Sequence, residues 1–179
     1  MKYLFARPII SMAFMIGIFF SAYAQYGSMK GSNSAQIGAG FTDAGVLING
    51  YFSRNFGTDM RGLFGAGLAY SDVKGVQHYA VYIDGIASLT LQELNKGAFK
   101  FNGQAGLSFA FDVLDTGESN LSDKSVTMNT GAVGGFEGEF TVSHNMSFAL
   151  ASNIRYFIKE DFGKVRFQTT LGMRFLLGR

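Results

Sequence analysis

The chain of 179 residues contains no cysteine and no tryptophan, and it has a single proline. Without cysteine, neither a disulfide nor a lipid-modified cysteine at a cleavage site can form. Lys and Arg number 15, but two of them, Lys2 and Arg7, precede residue 25, which leaves 13 against 13 Asp and Glu. Because the chain beyond residue 24 has no net positive charge, it has no general attraction for nucleic acid, and we expect no direct nucleic-acid binding.

Long apolar runs are confined to the start of the chain, where the 12 residues from Ile9 to Phe20 are almost wholly apolar. Lys2 and Arg7 precede this run, and Ala22 and Ala24 follow it as small residues suited to a cleavage site. This pattern is typical of a Sec signal peptide over residues 1–24. A membrane anchor is the alternative, but a spanning helix needs about 20 apolar residues. We therefore expect residues 25–179 to be exported as the mature domain.

Glycine and phenylalanine are abundant, at 24 and 19 residues, and the 13 residues from Phe99 to Phe111 show a clear alternation. Apolar or small side chains occupy the odd positions, and polar or small ones occupy the even positions. Successive side chains of a strand face opposite sides, so one face of this segment is apolar. Its length exceeds the five or six residues usual in soluble sheets and suits a tilted strand that crosses a bilayer. A strand of a water-soluble sandwich is the alternative.

The same alternation continues through the mature chain. No later segment is apolar for long enough to be a membrane helix, and among strand structures only a closed barrel satisfies every backbone group in lipid. We therefore predict one all-β domain, an eight-stranded antiparallel transmembrane β-barrel of the outer-membrane type, with ten strands as the alternative. The predicted strands are approximately Ser34–Thr42, Val46–Arg54, Arg61–Ser71, Gln77–Gln92, Phe99–Phe111, Val126–Phe140, Met146–Phe157 and Lys164–Leu177.

The predicted inner faces of the last three strands carry charges of both signs. They are Glu137 and Glu139 on the sixth strand, and Arg155, Arg166 and Arg174 on the seventh and eighth. Because an isolated buried charge is costly, we expect these five side chains to form an ion-pair network in the lumen. An eight-stranded interior is just wide enough for side chains to fill, so the network should plug the barrel. A gated conduit lined by the same charges is the alternative.

The longest hydrophilic interruption spans residues 112–125 and contains Asp112, Asp115, Glu118 and Asp123. Counted from a periplasmic amino terminus, it joins the fifth and sixth strands on the outside, where outer-membrane barrels have their long loops. We therefore expect these four side chains in a solvated external loop. Calcium binding is the alternative, but the spacing and closing glutamate of an EF-hand loop are missing.

Candidate catalytic and metal-binding residues are few. His78 and His144 are the only histidines, and neither has a second histidine or a cysteine at metal-ligand spacing. His144 with Ser147 and a carboxylate would suit a lipid hydrolase, but the sequence has no ordered Ser-His-acid pattern. The glycines alternate within strands and do not open a helix, so no phosphate-binding loop is indicated. We expect no catalytic residue, metal or cofactor.

Three segments of the carboxy-terminal half resemble one family. They are F-N-G-Q-A-G-L-S-F-A-F-D-V-L-D-T-G-E-S-N-L-S-D from Phe101, N-T-G-A-V-G-G-F-E-G-E-F from Asn129, and G-K-V-R-F-Q-T-T-L-G-M-R-F from Gly163. They are similar to the TraO family of conjugative-transposon transfer proteins, which are small exported outer-membrane barrels of Gram-negative anaerobes. The resemblance covers residues 79–177, and Lys124 stands where the family pattern has a glycine. It implies an outer-membrane element of the conjugal DNA-transfer apparatus, with no catalytic residues.

These observations lead to a main hypothesis and several alternatives. The main hypothesis is a non-enzymatic outer-membrane barrel that contacts outer-membrane lipid and other transfer-apparatus proteins. The first alternative is a general small barrel for adhesion or membrane integrity, whose external loops bind surface ligands. An outer-membrane enzyme acting on lipid A or phospholipid would need a polar catalytic cluster at the bilayer rim, and a soluble periplasmic barrel would bind a small ligand inside.

Overall fold

Eight strands carry almost all of the described chain. The computed structural model describes residues 30–43, 45–73, 76–115, 124–158 and 164–178. A short 3-10 turn, Asn95–Gly97, lies between the fourth and fifth strands. The strands are β1 (Asn33–Thr42), β2 (Gly45–Asn55), β3 (Met60–Val73), β4 (Val76–Leu94), β5 (Phe99–Asp115), β6 (Lys124–Ser143), β7 (Met146–Phe157) and β8 (Val165–Gly178).

Each strand pairs antiparallel with its sequence neighbours, and β1 pairs with β8 to close the sheet. The closing ladder runs without interruption from Ser34 opposite Leu176 to Thr42 opposite Gln168. One register shift lies just before it, between Asn33 and Ser34. Closure leaves no unpaired sheet edge, which is the condition for strands to cross a bilayer. The prediction of an eight-stranded antiparallel transmembrane barrel is confirmed, and the ten-stranded alternative is wrong.

The outer wall of the barrel is apolar. Large hydrophobic side chains such as Ile37, Phe64 and Leu107 are more than half exposed, whereas alternate residues of the same strands are buried in the lumen. This inverts the arrangement of a soluble sandwich, whose hydrophobic row would face a core. Lipid is the solvent that this outer surface requires. Among the described residues, no helix is long and apolar enough to span a membrane.

The two ends of the barrel differ in the chain segments that they carry. We call the end near residues 30–32 the terminal end. It also carries residues 56–59, 95–98 and 144–145 and the last residues of β8. We call the other end the distal end. It carries the connections at 43–44, 74–75, 116–123 and 158–164.

The connection between β5 and β6 is shorter than predicted. β5 extends to Asp115 and β6 begins at Lys124, so both ends of the predicted loop at residues 112–125 belong to the sheet. Asp112 pairs with Thr127 and Val113 pairs with Val126 in this extension. From the sequence alone, a polar side chain that faces the lumen cannot be distinguished from one in a solvated loop. For this reason the predicted loop included residues that belong to β5 and β6.

Candidate functional site

The first charged group of the lumen, which we call the basal cluster, contains Arg61, Glu137, Glu139 and Arg174. Arg61 donates hydrogen bonds to Glu137 Oε1 at 2.6 Å and to Glu139 Oε2 at 3.0 Å. Arg174 donates to Glu137 Oε2 at 2.8 Å and also to Glu139. Two guanidinium groups therefore share two carboxylates. Charge-assisted bonds of this kind offset the cost of removing four ions from water.

Neutral side chains complete the basal cluster. The amides of Asn102 and Gln104 donate to Glu137, and the Ser147 hydroxyl donates to Glu139 at 2.7 Å. Gln36 accepts a hydrogen bond from Arg174. Both carboxylates are thus bonded by several donors, and this holds the cluster in one geometry.

A second group, nearer the distal end, is built on the Asp84–Arg155 pair. Arg155 Nη2 lies 2.6 Å from Asp84 Oδ2, and the side chains are 1% and 0% exposed. Tyr51 donates its hydroxyl hydrogen to the same carboxylate at 2.7 Å. Arg155 also donates to Ser108 and Gln168. Because the pair is fully enclosed, either charge alone would be strongly destabilising.

A third group is built on Asp112 and Arg166. Arg166 donates to both oxygens of Asp112, at 2.7 and 2.9 Å, in the bidentate geometry that guanidinium and carboxylate favour. His78 Nε2 lies 2.9 Å from Asp112 Oδ1, and Asn129 donates to Oδ2. Asp112 therefore holds β4, β6 and β8 together from inside.

Apolar and aromatic side chains fill the space between these two distal pairs. Leu47, Tyr82 and Phe157 are almost fully buried and pack in one cluster with small alanines. The Arg155 guanidinium lies 4.5 Å from the centre of the Tyr82 ring, and that of Arg166 lies 5.0 Å from the centre of the Phe157 ring. These are cation–π distances. Ion pairs and aromatic rings together fill the distal half of the lumen.

The structure places the five predicted lumen charges inside the barrel but divides them between groups. Glu137, Glu139 and Arg174 share the basal cluster, whereas Arg155 and Arg166 each pair with an aspartate nearer the distal end. Three partners were missing from the prediction: Arg61, Asp84 and Asp112. Asp84 and Arg61 have the correct inward parity in their strands, and the requirement that each buried charge have a partner was the signal that could have found them.

The predicted external loop needs one correction. Asp112 lies on β5 and is 0% exposed, so its assignment to a solvated loop is wrong. The buried Arg166 draws its carboxylate into the lumen. Asp115 is the last residue of β5. Glu118 and Asp123 lie outside the described residues.

Open space in the lumen is concentrated at the terminal end. A cavity of about 440 Å³, which we call the basal cup, extends from the basal cluster to the terminal mouth. Every strand contributes to its lining. Beyond the basal cluster, a second cavity near Gln104 and Asn153 measures only about 10 Å³. The lumen is thus a cup that is closed on its distal side.

The candidate hydrolase residues His144 and Ser147 both line the basal cup. Ser147 is buried and its hydroxyl donates to Glu139 within the basal cluster, while His144 lies exposed in the turn between β6 and β7. A nucleophilic serine would instead be hydrogen-bonded to the histidine that takes its proton. Within the part of the chain that the structure describes, no three His, Asp or Glu side chains are grouped so that they could hold a metal.

Comparisons with known proteins give matches among solved structures. No protein-family model and no curated protein matches the chain. The amino-terminal β-barrel domain of Pseudomonas aeruginosa OprF is 16% identical with a TM-score of 0.63, over 84% of this chain and 100% of that one. A major outer membrane protein from Thermus thermophilus is 14% identical with a TM-score of 0.65, over 82% and 98%.

The Yersinia pestis attachment invasion locus protein, Ail, is 13% identical with a TM-score of 0.55, over 83% of this chain and 99% of that one. At such identities a structural likeness speaks for the fold and not for the activity. The closed sheet, the apolar outer wall and these matches agree: the chain has the fold of the eight-stranded outer-membrane β-barrels.

Proposed function

We propose that this protein is a non-enzymatic, non-conducting barrel of the Gram-negative outer membrane that supports membrane integrity. The observation that carries this proposal is the filled distal half of the lumen. Asp84, Asp112, Arg155 and Arg166 are each no more than 3% exposed, and each carboxylate is bonded to a guanidinium. An ion could pass only if these pairs separated, and leaving one of them unpaired costs about 3–5 kcal/mol.

The connections at the distal end favour integrity over adhesion. Two of the four, at 43–44 and 74–75, comprise only two residues each, and the longer ones are limited to 116–123 and 158–164. A protein that binds surface ligands through its loops needs a contact area of several hundred Å² per partner. The apolar wall, by contrast, is continuous around the barrel, with large exposed hydrophobic side chains on every strand.

Conductance measurements test the closed lumen. Purified protein refolded in detergent and added to planar lipid bilayers should give no discrete conductance steps, whereas an open porin tested in parallel should give them. Regular single-channel steps from the wild-type protein would show that the ion pairs open and would remove this part of the proposal.

A deletion strain tests the integrity role. Loss of the gene should make cells more sensitive to detergent and to antibiotics too large for porins, and the wild-type gene should restore resistance. Fractionation of the complemented strain should place the protein in the outer membrane. Unchanged sensitivity, with the protein present in that membrane, would exclude integrity as the main role.

A role in conjugal DNA transfer is the second candidate, and the resemblance to the TraO family supports it. The similar segments lie on β5, β6 and β8 and on the connection between β5 and β6. Under this proposal the barrel is the outer-membrane element to which other transfer proteins attach. Transfer frequency from a donor with an in-frame deletion should fall and should return on complementation. Normal transfer from the deletion donor would exclude the role in conjugation and leave the general role in membrane integrity.

The absence of enzymatic activity is part of the proposal. The double variant His144→Ala with Ser147→Ala should leave the lipid A and phospholipid profiles of the cell unchanged, because Ser147 is occupied by Glu139 inside the lumen. A changed lipid profile, with the variant still folded and in the membrane, would contradict this part of the proposal.

A further inference from the structure

The basal cup has the size of a small-molecule site. Its volume of about 440 Å³ lies within the range of about 300–1,000 Å³ that is typical of ligand pockets. Its floor is formed by Arg61, Glu139 and Arg174 of the basal cluster, which are no more than 9% exposed. Its walls are strands of a closed sheet, which are rigid compared with loops. The cup therefore offers a preformed site with one mouth, at the terminal end.

The charges of the cup's floor are paired, and Asp59 and His144 at its mouth are exposed to solvent. Arg61 and Arg174 are neutralised by Glu137 and Glu139. The remaining Lys or Arg of the lining, Lys100, lies 3.7 Å from Glu93 and is the cross-strand neighbour of both Glu93 and Glu139. An anionic or cationic ligand would find no unpaired charge of opposite sign in the floor of the cup. Because burying an unpaired charge is costly, the cup favours an uncharged ligand.

The remaining wall of the cup is mixed. Its hydroxyl and amide groups come from Ser34, Asn55, Ser88, Thr90, Asn102 and Thr141, and its apolar groups include Met60, Met146 and Leu176. Each hydroxyl can both donate and accept a hydrogen bond, and each amide presents a donor and an acceptor together. The lining that the structure describes contains no phenylalanine or tyrosine, so its walls lack the large ring faces on which a base or other flat molecule could stack.

From the paired charges of the floor, the hydroxyl and amide groups of the wall and the volume, we propose that the basal cup binds a neutral, hydroxyl-bearing molecule of the size of one or two sugar units. Ser88 of β4 supplies a hydrogen bond to the ligand, and Thr90, whose hydroxyl donates to Asn102 Oδ1 at 2.9 Å, accepts one from it. Asn102 of β5 in turn donates to Glu137 of the basal cluster. The ligand enters and leaves through the terminal mouth, because the distal half of the lumen is filled. This site does not depend on the proposed role in membrane integrity.

Methionine methyl groups report on the mouth of the cup in the wild-type protein. Met60 and Met146 lie at this mouth, next to the inward-facing Arg61 and Ser147, whereas Met128 and Met173 lie on the outer wall. With the protein in detergent micelles and its methionine methyls labelled with ¹³C, titration with cellobiose should shift the Met60 and Met146 signals saturably. The Met128 and Met173 signals should stay in place. Citrate and spermidine, as charged probes, should give no saturable shift.

A matched pair of double variants tests the hydroxyl groups. Ser88→Ala with Thr90→Val removes two hydroxyls from the cup, and Ser152→Ala with Thr169→Val removes a hydrogen-bonded Ser–Thr pair from the outer wall. Loss of two hydrogen bonds should weaken cellobiose binding about tenfold or more. The outer-wall variant should bind cellobiose as the wild type does.

Three results would overturn the proposal. One is the absence of any saturable cellobiose shift at Met60 and Met146 in the wild-type protein, and the other is tighter binding of citrate or spermidine than of cellobiose. Equal weakening by the cup and outer-wall variants would also overturn it. Since the titration uses the unaltered barrel, a variant that fails to fold does not remove the test.

Discussion

At the scale of single residues, the lumen is organised by charges that cannot reach water. Asp84 and Glu137 are 0% and 1% exposed, and each accepts hydrogen bonds from more than one donor. Replacing such a pair by apolar side chains can be neutral, whereas removing one partner is not. The ion pairs therefore contribute less to net stability than to the choice of one packing in the lumen.

The first prediction concerns the Asp84–Arg155 pair. Arg155→Leu leaves Asp84 buried without its counter-charge and should destabilise the barrel by about 3–5 kcal/mol. Because the chain has no tryptophan, urea unfolding in detergent micelles is best followed by far-ultraviolet circular dichroism. The exposed Asp59→Asn is the control and should change stability by less than about 0.5 kcal/mol.

The double variant Asp84→Leu with Arg155→Leu completes this test. It removes both charges and should be more stable than Arg155→Leu alone. If the single and double variants unfolded at the same urea concentration, the cost would come from lost packing and not from an unpaired carboxylate.

At the scale of strands, three of the ion pairs join elements that are three positions apart in the sheet, whereas Arg174 on β8 pairs with the glutamates of β6, two positions away. Arg61 on β3 reaches Glu137 on β6, Asp84 on β4 reaches Arg155 on β7, and Asp112 on β5 reaches Arg166 on β8. In a closed sheet of eight strands such elements face each other across the lumen. The pairs thus tie opposite walls together, while the backbone ladders tie neighbours.

The second prediction concerns the seam where β1 meets β8. A Cβ atom at Gly40 would collide with the backbone of Thr169 and Thr170, and backbone cannot move aside as a flexible side chain can. Gly40→Ala should therefore cost about 1–3 kcal/mol. Heat-modifiable migration on gels should show unfolding at a lower temperature than in the wild type.

Gly50→Ala is the matched control on β2. Its nearest neighbour would be the Gln36 carbonyl oxygen at 3.8 Å, so the added methyl group has room. The unfolding temperature should match that of the wild type. Equal losses of stability in the two variants would show that the substitutions act through strand flexibility and not through a collision at the seam.

The third prediction concerns the lipid-facing side of β4 and β5. Leu107 lies at the middle of β5 and is 61% exposed on the outer wall. Leu107→Arg should destabilise the barrel in lipid vesicles by about 2–4 kcal/mol, because a charge at the bilayer midplane is costly. Gln77→Arg, near the distal rim on β4, should cost about 0–1 kcal/mol. Urea unfolding of both variants gives the comparison, and equal costs would contradict the placement of the bilayer.

At the scale of the whole molecule, the barrel is asymmetric along its axis. The distal half is filled by ion pairs and rings, and the terminal half opens into the basal cup. A small ligand would therefore enter at the terminal end, while the distal end carries two connections of two residues and the two longest connections of the barrel, 116–123 and 158–164. Which end of the barrel faces the periplasm decides whether the basal cup opens to the periplasm or to the cell surface.

The fourth prediction fixes this orientation. Since the chain has no cysteine, single cysteines can be introduced without background. Asn120→Cys, in the connection between β5 and β6, should react with a membrane-impermeant maleimide in whole cells. Asn145→Cys, in the turn between β6 and β7, should react only after the outer membrane is permeabilised. The reverse pattern would place the basal cup on the cell surface.

The local pattern of polar and apolar residues in the sequence was sufficient to predict the strands and the face on which each side chain lies. Alternation with period two identifies lipid-facing Leu107 and lumen-facing Glu137 without knowledge of any neighbour, because the side of a strand depends only on parity. The lack of a later apolar run then left closure into a barrel as the way to cross a bilayer. Eight strands, their approximate bounds and the inward direction of the five predicted charges follow from these local properties.

Partners across the lumen were decided only by the tertiary structure. The stagger of the closed sheet determines which residue of β3 lies opposite β6, and this stagger is a property of the whole barrel. For that reason Glu137 pairs with Arg61 rather than Arg155, Asp112 lies in the lumen rather than in a loop, and the open volume collects at the terminal end. Parity gives each side chain its face, but only closure of the sheet brings that side chain to its partner.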